Sequence, residues 1–319
     1  MTAAPVIGDR DPGADLAAQR VALPGYDAAV GPLGHLHEER ARLAAMEWDH
    51  FDVTPAGATI GAEVHGLDLR EELDGAVIAE LRRALLAYKV LFFREQHLSP
   101  AQHVGFARRF GDLEIHPFIP ANPDHPELVR FEKSAEVGGY ENAWHSDVSW
   151  RETPSMGAVL RAVSVPPAGG DTLFADMAAA YDGLPESLRS RADDLVAIHD
   201  FAQAFGHQLD EDALAEMRRQ HPPVEHPVIR THPETGRRIV YVNRIFVREI
   251  IGLDLDASRA LIDDLSRPAD LPEHQCRFHW EPGSIAFWDN RAVQHYACSD
   301  YWPDTRIMER ASIAGDRPR

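Results

Sequence analysis

A histidine and an aspartate two residues apart could hold one metal ion together. They lie in the run Trp144-His145-Ser146-Asp147. On a strand, residues two apart project from the same face, so both side chains could bind the same ion. A second histidine from elsewhere in the chain would complete the set of two histidines and one carboxylate. That set leaves positions open on iron for a chelating co-substrate and O2.

The second histidine is predicted to be His295, in a C-terminal block that also carries two arginines. The loop at residues 299–305 contains proline and aspartate and can reverse the chain, so we expect the strand at 306–313 to run antiparallel beside the His295 strand. On that strand Arg306 and Arg310 share one face. Two arginines that point into a barrel are costly unless each meets an anion, and their planar donors suit carboxylate or sulfo groups.

Each of these residues also has an ordinary structural interpretation. The chain contains another His-x-Asp, at His50 and Asp52, to which we assign no metal because spacing alone is a weak signal. Most of the 17 histidines must be surface, capping or core residues. A single arginine is usually solvated or paired with an acid. The occurrence of two arginines on one strand face, shortly after a candidate metal ligand, favours anion binding.

The balance of charge excludes some classes of partner. The 319-residue chain has 32 Lys and Arg against 51 Asp and Glu, which gives a formal net charge of −19. This charge repels nucleic-acid phosphates and anionic membrane surfaces, and the chain has no basic tract to offset it. We therefore expect neither nucleic acid nor a membrane as a partner. A small anionic substrate would have to be bound by a few well-placed arginines.

Cysteine content and hydropathy indicate the compartment. Cys276 and Cys298 are the only cysteines, and the N-terminal residues lack the basic region and apolar run of a secretion signal. No stretch approaches the roughly 20 apolar residues that cross a bilayer. We therefore expect a cytoplasmic protein, and we expect it to form a homo-oligomer.

The chain divides into an extension and one large domain. Residues 1–50 are rich in Ala, Gly, Pro and charge, with one helix-like stretch at 36–48, and we interpret them as a partly ordered N-terminal extension. Residues 51–319 are interpreted as a single catalytic domain. The apolar fraction of 44% can form a sizeable buried core.

The order of predicted elements favours an α+β fold. Apolar spacing predicts a helix at 76–88, and Ser99 with Gln102 predicts a capping box at the start of another. From residue 143 onward, short apolar runs are separated by Pro, Gly and Asp, and residues 232–236 are predicted to form a hairpin turn. These runs indicate an antiparallel sandwich or barrel with inserted helices.

The motifs closely resemble a family of dioxygenases that includes taurine dioxygenase, alkylsulfate dioxygenases and 2,4-dichlorophenoxyacetate dioxygenases. The resemblance runs from about residue 51 to residue 318. It rests on a series of segments that occur in order and at the family's spacing. Besides the two blocks above, these are Thr59-Ile60-Gly61-Ala62-Glu63-Val64, Gly66-Leu67-Asp68-Leu69, His116-Pro117, Gly169-Gly170-Asp171-Thr172-Leu173 and the run from His226 to Pro233.

The resemblance implies a double-stranded β-helix, or jelly-roll, core with flanking and inserted helices. It also implies that iron(II) is bound by His145, Asp147 and His295. By the same matching, Arg306 and the hydroxyl of Thr172 hold the distal carboxylate of 2-oxoglutarate. The implied activity is an oxidation of a small anion with 2-oxoglutarate and O2, which gives succinate and CO2 as co-products.

The resemblance further implies which residues bind the substrate. Arg310 and His116 match the pair that holds the substrate's anionic group, and Phe205 and Phe246 match aromatic residues of the pocket. Two positions depart from taurine dioxygenase: Ile119 replaces a tyrosine, and Glu141 replaces an asparagine used toward the substrate amine. The anion site is retained and the amine site is not. We therefore expect an alkyl sulfate, alkylsulfonate or carboxylate with a more apolar tail.

Other functions remain open from the residues alone. The chain could be a taurine dioxygenase proper, or a jelly-roll binding or sensor protein without turnover. A zinc hydrolase is a third alternative, because two histidines and a carboxylate with an open water position also suit zinc. The two arginines and Thr172 would have no obvious purpose in a hydrolase.

Overall fold

The computed structural model describes residues 21–23, 29–117, 119–138 and 141–319. Among these residues, no helix combines the length and the apolar character that a membrane crossing requires. Half of the predicted extension, at residues 1–20 and 24–28, lies outside the described part of the chain.

The helices begin where the sequence supplies caps. The side chain of Asp74 accepts hydrogen bonds from the amides of Ala76 and Val77, and the predicted capping box of Ser99 and Gln102 is present. The α-helices in the described residues are α1 (His37–Ala44), α2 (Gly75–Tyr88), α3 (Pro100–Arg108), α4 (Met177–Asp182), α5 (Glu186–Ala192), α6 (Ala202–Phe205), α7 (Glu211–Gln220) and α8 (Leu255–Ser266). Short 3-10 turns occupy Gly34–Leu36, Gly206–Gln208, Arg267–Asp270 and Pro272–His274.

Most of the strands in the described residues lie after residue 143, as predicted. They are β1 (Val21–Ala22), β2 (Ala29–Val30), β3 (Asp52–Pro55), β4 (Ala62–His65), β5 (Val90–Phe93), β6 (Ala121–Asn122), β7 (His125–Lys133), β8 (Gly157–Ser164), β9 (Thr172–Asp176), β10 (Val196–His199), β11 (Val224–Pro227), β12 (Ile229–Thr231), β13 (Arg238–Val240), β14 (Val247–Ile250), β15 (Gln275–Phe278), β16 (Ile285–Asp289), β17 (Val293–Ala297) and β18 (Arg306–Ile313). β12 and β13 pair antiparallel, which confirms the predicted hairpin.

Two sheets form the sandwich that contains the site. The larger sheet has eight strands in the order β3-β4-β5-β16-β8-β18-β7-β6, and only the β4–β5 pair is parallel. A three-stranded sheet in the order β15-β9-β17 faces it. β10, β11 and β14 form a further three-stranded sheet. This architecture is the predicted α+β jelly roll with flanking helices.

Successive side chains along the strands of the larger sheet point to opposite faces, and each face packs into its own buried cluster. Phe92 and Trp288 point toward the three-stranded sheet and pack with Phe174. Phe93 and Phe287, one residue away on the same strands, point to the other face and pack against α2 and α3. Both faces are therefore buried, which explains why these strands read as nearly continuous apolar runs.

The position of the last strand differs from the prediction. Residues 306–313 do not pair with the His295 strand; β18 lies between β7 and β8 in the larger sheet, whereas β17 pairs with β9 in the facing sheet. The eight-residue connection at 298–305 crosses between the two layers, whose spacing of about 10 Å it can span. The inward arginines therefore face the His295 strand across the sandwich.

Helix α1, in the described part of the predicted extension, is shorter than the predicted stretch at 36–48 and packs on the domain. Its Glu39 carboxylate lies 3.3 Å from Lys89 Nζ and 3.2 Å from an Arg237 guanidinium nitrogen. Burial raises the pKa of Glu39, but Arg42, Lys89 and Arg237 outweigh it and lower the pKa to about 2. The carboxylate thus stays ionised and anchors α1 beside α2.

Candidate active site

The backbone brings the two histidines together directly. The amide of His145 donates to the carbonyl of His295 at 3.1 Å, and the amide of His295 donates to the carbonyl of His145 at 2.8 Å. Within the His-x-Asp motif only His145 forms a strand-like bridge. The chain turns from Asp147 onward, and Val148 has a φ of 47°. The prediction that the His-x-Asp motif lies on a strand is therefore wrong beyond its first residue.

Asp147 is held in place by the chain that precedes the His295 strand. Its amide donates to Asn290 Oδ1 at 2.7 Å, and Asn290 Nδ2 donates to the Asp147 carbonyl at 3.0 Å. The Ser146 hydroxyl donates to the Val293 carbonyl at 2.8 Å. These bonds fix the turn so that the carboxylate, although not on a strand, points toward both imidazoles.

The three side chains form a compact, buried group of ligand atoms. The Nε2 atoms of His145 and His295 lie 4.0 Å and 3.9 Å from Asp147 Oδ1. Burial raises the pKa of Asp147, but Arg310 and then His295 outweigh it and lower the pKa to about 2. Burial, reinforced by His145, lowers the pKa of His295 to about 3. An ionised carboxylate and a neutral imidazole are the protonation states that bind a metal.

The group fits a divalent cation. One ligand atom from each residue can be chosen so that all lie within 4.8 Å of one another. His145 Nδ1 donates to the Ala143 carbonyl at 2.8 Å, which leaves Nε2 of that ring as the ligand atom. Within the described residues Asp147 Oδ2 is buried without a hydrogen-bond partner. A buried acceptor of this kind is satisfied by a cation, and this donor set is the one that non-haem iron(II) prefers.

Arg306 and Thr172 line the same cavity as this group. Arg306 is buried, and its Nε donates to the Gly170 carbonyl at 3.1 Å, whereas Nη2 is buried and has no partner within the described residues. Burial lowers the pKa of Arg306. The Thr172 hydroxyl accepts from Trp280 Nε1 at 3.0 Å, which leaves its own hydrogen available for donation in the cavity that Thr172 lines. These donors can hold a carboxylate.

Arg310 and His116 line this cavity as well. Arg310 Nη1 donates to Asp147 Oδ1 at 2.6 Å, and its guanidinium lies over the Phe131 ring. His116 Nδ1 accepts from the Ile119 amide at 3.2 Å, so a neutral ring carries its hydrogen on Nε2. Burial and then Arg310 lower the pKa of His116 to about 3, which keeps the ring neutral. The pair offers donors to an anion close to the metal ligands.

All the predicted site residues line one cavity of about 130 Å³, here called the inner cavity. His50 and Asp52 lie outside this cavity; His50 pairs with Glu80 at 2.7 Å. The nine residues brought together are His116, His145, Asp147, Thr172, Phe205, Phe246, His295, Arg306 and Arg310.

Three further residues of the site had no role in the sequence analysis. Asn290 holds the Asp147 turn, and Trp280 orients the Thr172 hydroxyl. Gly170 has a φ of 72°, and a Cβ there would lie 3.1 Å from Arg306 Cδ, so only glycine lets the chain pass this close. Asn290 and Gly170 belong to recognised motifs, but Trp280 carried no signal.

Comparison with known proteins identifies the family. Residues 52–312 match the model of the taurine catabolism dioxygenase TauD, TfdA family. The chain belongs to this family. It is an iron(II)- and 2-oxoglutarate-dependent dioxygenase. This membership excludes both the zinc hydrolase and the binding or sensor protein without turnover.

Individual relatives of this dioxygenase extend over most of its length. It is 37% identical over 276 residues to an alpha-ketoglutarate-dependent sulfate ester dioxygenase of Pseudomonas putida, covering 84% of this chain and 91% of the relative. It is 35% identical to an alkylsulfatase of Acinetobacter baylyi, covering 81% and 83%. A solved taurine dioxygenase from Burkholderia xenovorans superposes with a TM-score of 0.73 at 38% identity, covering 85% and 93%.

Proposed function

We propose that this dioxygenase hydroxylates a small organic anion with an apolar tail, namely an alkyl sulfate, an alkylsulfonate or a carboxylate. The observation that carries the proposal is the pair of buried arginines four residues apart on β18. Arg306 has an unpartnered Nη2 within the described residues, and Arg310 lies beside the metal ligand Asp147. Two buried guanidinium groups in one cavity suit two anions, a co-substrate and a substrate.

In the proposed site, His145, Asp147 and His295 hold iron(II). Arg306 and Thr172 bind the distal carboxylate of 2-oxoglutarate, each through a donor described above. Iron(II) with 2-oxoglutarate and O2 supplies the oxidising power for hydroxylation of a C–H bond. One oxygen atom of O2 enters the substrate and the other enters succinate, and the 1-carboxylate of 2-oxoglutarate leaves as CO2.

The remaining residues position the substrate. Arg310 and His116 bind the anionic head group, and this contact determines which carbon lies nearest the metal. Phe205 and Phe246, whose ring centroids are 6.1 Å apart, pack against the chain that follows the head group. If the hydroxylated carbon bears a sulfate ester oxygen, the product loses hydrogen sulfate and leaves an aldehyde.

The substrate class distinguishes this proposal from a taurine dioxygenase proper. Support for an apolar tail comes from relatives named as a sulfate ester dioxygenase and an alkylsulfatase. Further support comes from Glu141, whose carboxylate is paired with Lys133 at 3.0 Å. A carboxylate already occupied by a lysine is a poor acceptor for a substrate ammonium group.

An anaerobic titration tests the proposal. Apoprotein is mixed with iron(II) and 2-oxoglutarate, and the visible charge-transfer band of the chelate is recorded. Alkyl sulfates, taurine and arylalkanoates are then added in turn, and succinate is quantified after O2 is admitted. We expect the band to shift with alkyl sulfates and succinate to follow. A band that shifts only with taurine would contradict the proposed substrate class.

We also propose that residues 51–319 act as one catalytic domain with residues 1–50 as an extension, and that the enzyme is a cytoplasmic homo-oligomer. The two free cysteines, Cys276 and Cys298, fit a reducing compartment. Light scattering of the purified protein measures its mass directly, and a monomer of 35.5 kDa would contradict the oligomer.

A further inference from the structure

A second, larger cavity lies next to the inner cavity. It has a volume of about 740 Å³, and we call it the outer chamber. The two cavities share seven lining residues, among them His145 and Lys133, so the outer chamber adjoins the metal site. In the proposed function the head group, metal and co-substrate occupy the inner cavity, and the tail reaches the outer chamber only at the shared residues Phe205 and Phe246.

The walls of the outer chamber are mainly apolar. Ile119, Phe131, Val137, Ile245 and Phe246 contribute side chains to it. Val137 is 52% exposed. An apolar wall that leads from a buried reactive centre toward solvent suits a hydrocarbon chain, since its burial there removes apolar surface from water.

The charged side chains of the chamber are paired with one another. Lys133 Nζ lies 3.0 Å from Glu141, and Arg130 lies 3.2 Å from Glu132. Arg130 also lies 3.2 Å from the buried carboxylate of Glu309. Among the described lysine, arginine and acidic residues that line the chamber, these pairs leave neither an uncompensated cation for a second anionic group nor an uncompensated carboxylate for an ammonium group.

Lys133 is the informative member of these pairs. It stands opposite Arg306 in the pairing of β7 with β18, and it lines both cavities. An unpaired lysine there would attract a carboxylate on the substrate tail. Glu141 neutralises this lysine, so the pair adds no net charge where the two cavities meet.

We infer that the outer chamber is a binding site for a long, uncharged apolar tail, and that the Lys133–Glu141 pair excludes tails with a charged end. The inference rests on the proposed function, because the tail must belong to an anion bound by Arg310. Each buried methylene should raise kcat/KM by roughly twofold to fourfold, until the chamber is filled.

The first test measures how kcat/KM of the iron-loaded full-length enzyme depends on tail length. Succinate formation is followed with ethyl, butyl, hexyl and octyl sulfate below their micelle concentrations, and with phenoxyalkanoates as aryl tails. A progressive rise with alkyl length supports the inference. A flat or falling profile with intact turnover of short sulfates overturns it and leaves the proposed function standing. No substrate-dependent succinate with any anion overturns both.

The second test fills the chamber. Ile245→Trp should lower the ratio of kcat/KM for octyl and ethyl sulfate at least about fivefold. Ile251→Trp is the matched control, because Ile251 is 43% exposed and lines neither cavity. An unchanged ratio in Ile245→Trp overturns the inference. The profile of the unmodified enzyme remains decisive if this variant does not fold.

The third test concerns the ion pair. Glu141→Gln leaves the charge of Lys133 uncompensated, so the preference for an ω-carboxyalkyl sulfate over the alkyl sulfate of equal length should rise at least about fivefold. Adding Lys133→Met should reverse this gain. If Glu141 instead binds a substrate ammonium, the unmodified enzyme will prefer ω-aminoalkyl sulfates and Glu141→Gln will abolish that preference, which overturns the inference.

Discussion

The inner cavity and the outer chamber are built in different ways. The metal-binding residues of the inner cavity are joined by backbone and amide hydrogen bonds, such as those between His145 and His295. The outer chamber is walled by strand β7, by Val137, Glu141 and Ala143 that follow it, and by the short helix α6. The difference indicates that positions near the metal are fixed by the sandwich, whereas tail selectivity depends on parts that the sandwich does not constrain.

The largest effect is expected from loss of a metal ligand in the inner cavity. Asp147→Ala removes the only carboxylate of the group, and we expect iron(II) affinity and succinate formation to fall more than about 100-fold. Metal analysis and succinate assays measure this loss. Asp52→Ala is the matched control, because Asp52 belongs to the other His-x-Asp and lies outside the cavity. Equal losses in both variants would contradict the assignment.

The next largest effect distinguishes the roles of the two arginines of β18. Arg310→Lys should lower kcat/KM for the alkyl sulfate by about 10- to 100-fold while the Kd of 2-oxoglutarate changes little, because lysine loses the planar two-point contact. Arg306→Lys should do the reverse and weaken 2-oxoglutarate binding by a similar factor. Anaerobic titration gives the Kd, and turnover gives kcat/KM. The roles are wrong if both variants change the same constant.

A smaller effect is expected when the hydrogen bonds that hold Asp147 in place are removed. Asn290→Ala removes three hydrogen bonds to buried backbone groups, two of them at Asp147 and one at the Ser155 carbonyl. We expect the free energy of unfolding to fall by about 1–3 kcal/mol and iron affinity by about tenfold. Denaturant unfolding and metal titration measure the two quantities. Unchanged iron affinity would show that Asn290 does not position Asp147.

The smallest effect belongs to the outer chamber. The double change of Lys133→Met with Glu141→Gln removes a partly exposed ion pair, whose contribution to stability is about 0–1 kcal/mol. We expect Tm to change by no more than about 3 °C, as calorimetry would show. A loss as large as that of Asn290→Ala would mean that the chamber wall is as constrained as the inner cavity.

Local patterns predicted the elements that carry their own signals. α3 begins at the predicted capping box of Ser99, and β5 coincides with the apolar run Val90–Phe93. The candidate ligands His145, Asp147 and His295 were also predictable, because their types and the surrounding motifs match a known family. Each of these predictions depends on residues close together in the chain or on a matched motif.

Contacts between distant segments were not predictable. Trp280 reaches Thr172 across 108 residues, and Arg310 reaches Asp147 across 163 residues. The neighbours of β18 were predicted wrongly because a loop of eight residues can either reverse within a sheet or cross to the facing one. The alternation of inward and outward side chains along β18 is the same for both connections, so it cannot distinguish them.

The sequence by itself determined the family, the candidate ligands and the inward face of the two arginines, because residue type and period-two spacing are local properties. Only the tertiary structure decided which sheet contains β18, how the Asp147 turn is held and that Lys133 is neutralised by Glu141. These features depend on which surfaces are buried against each other once the whole chain has packed. Burial of both faces of the larger sheet selects one arrangement among several that the local patterns permit.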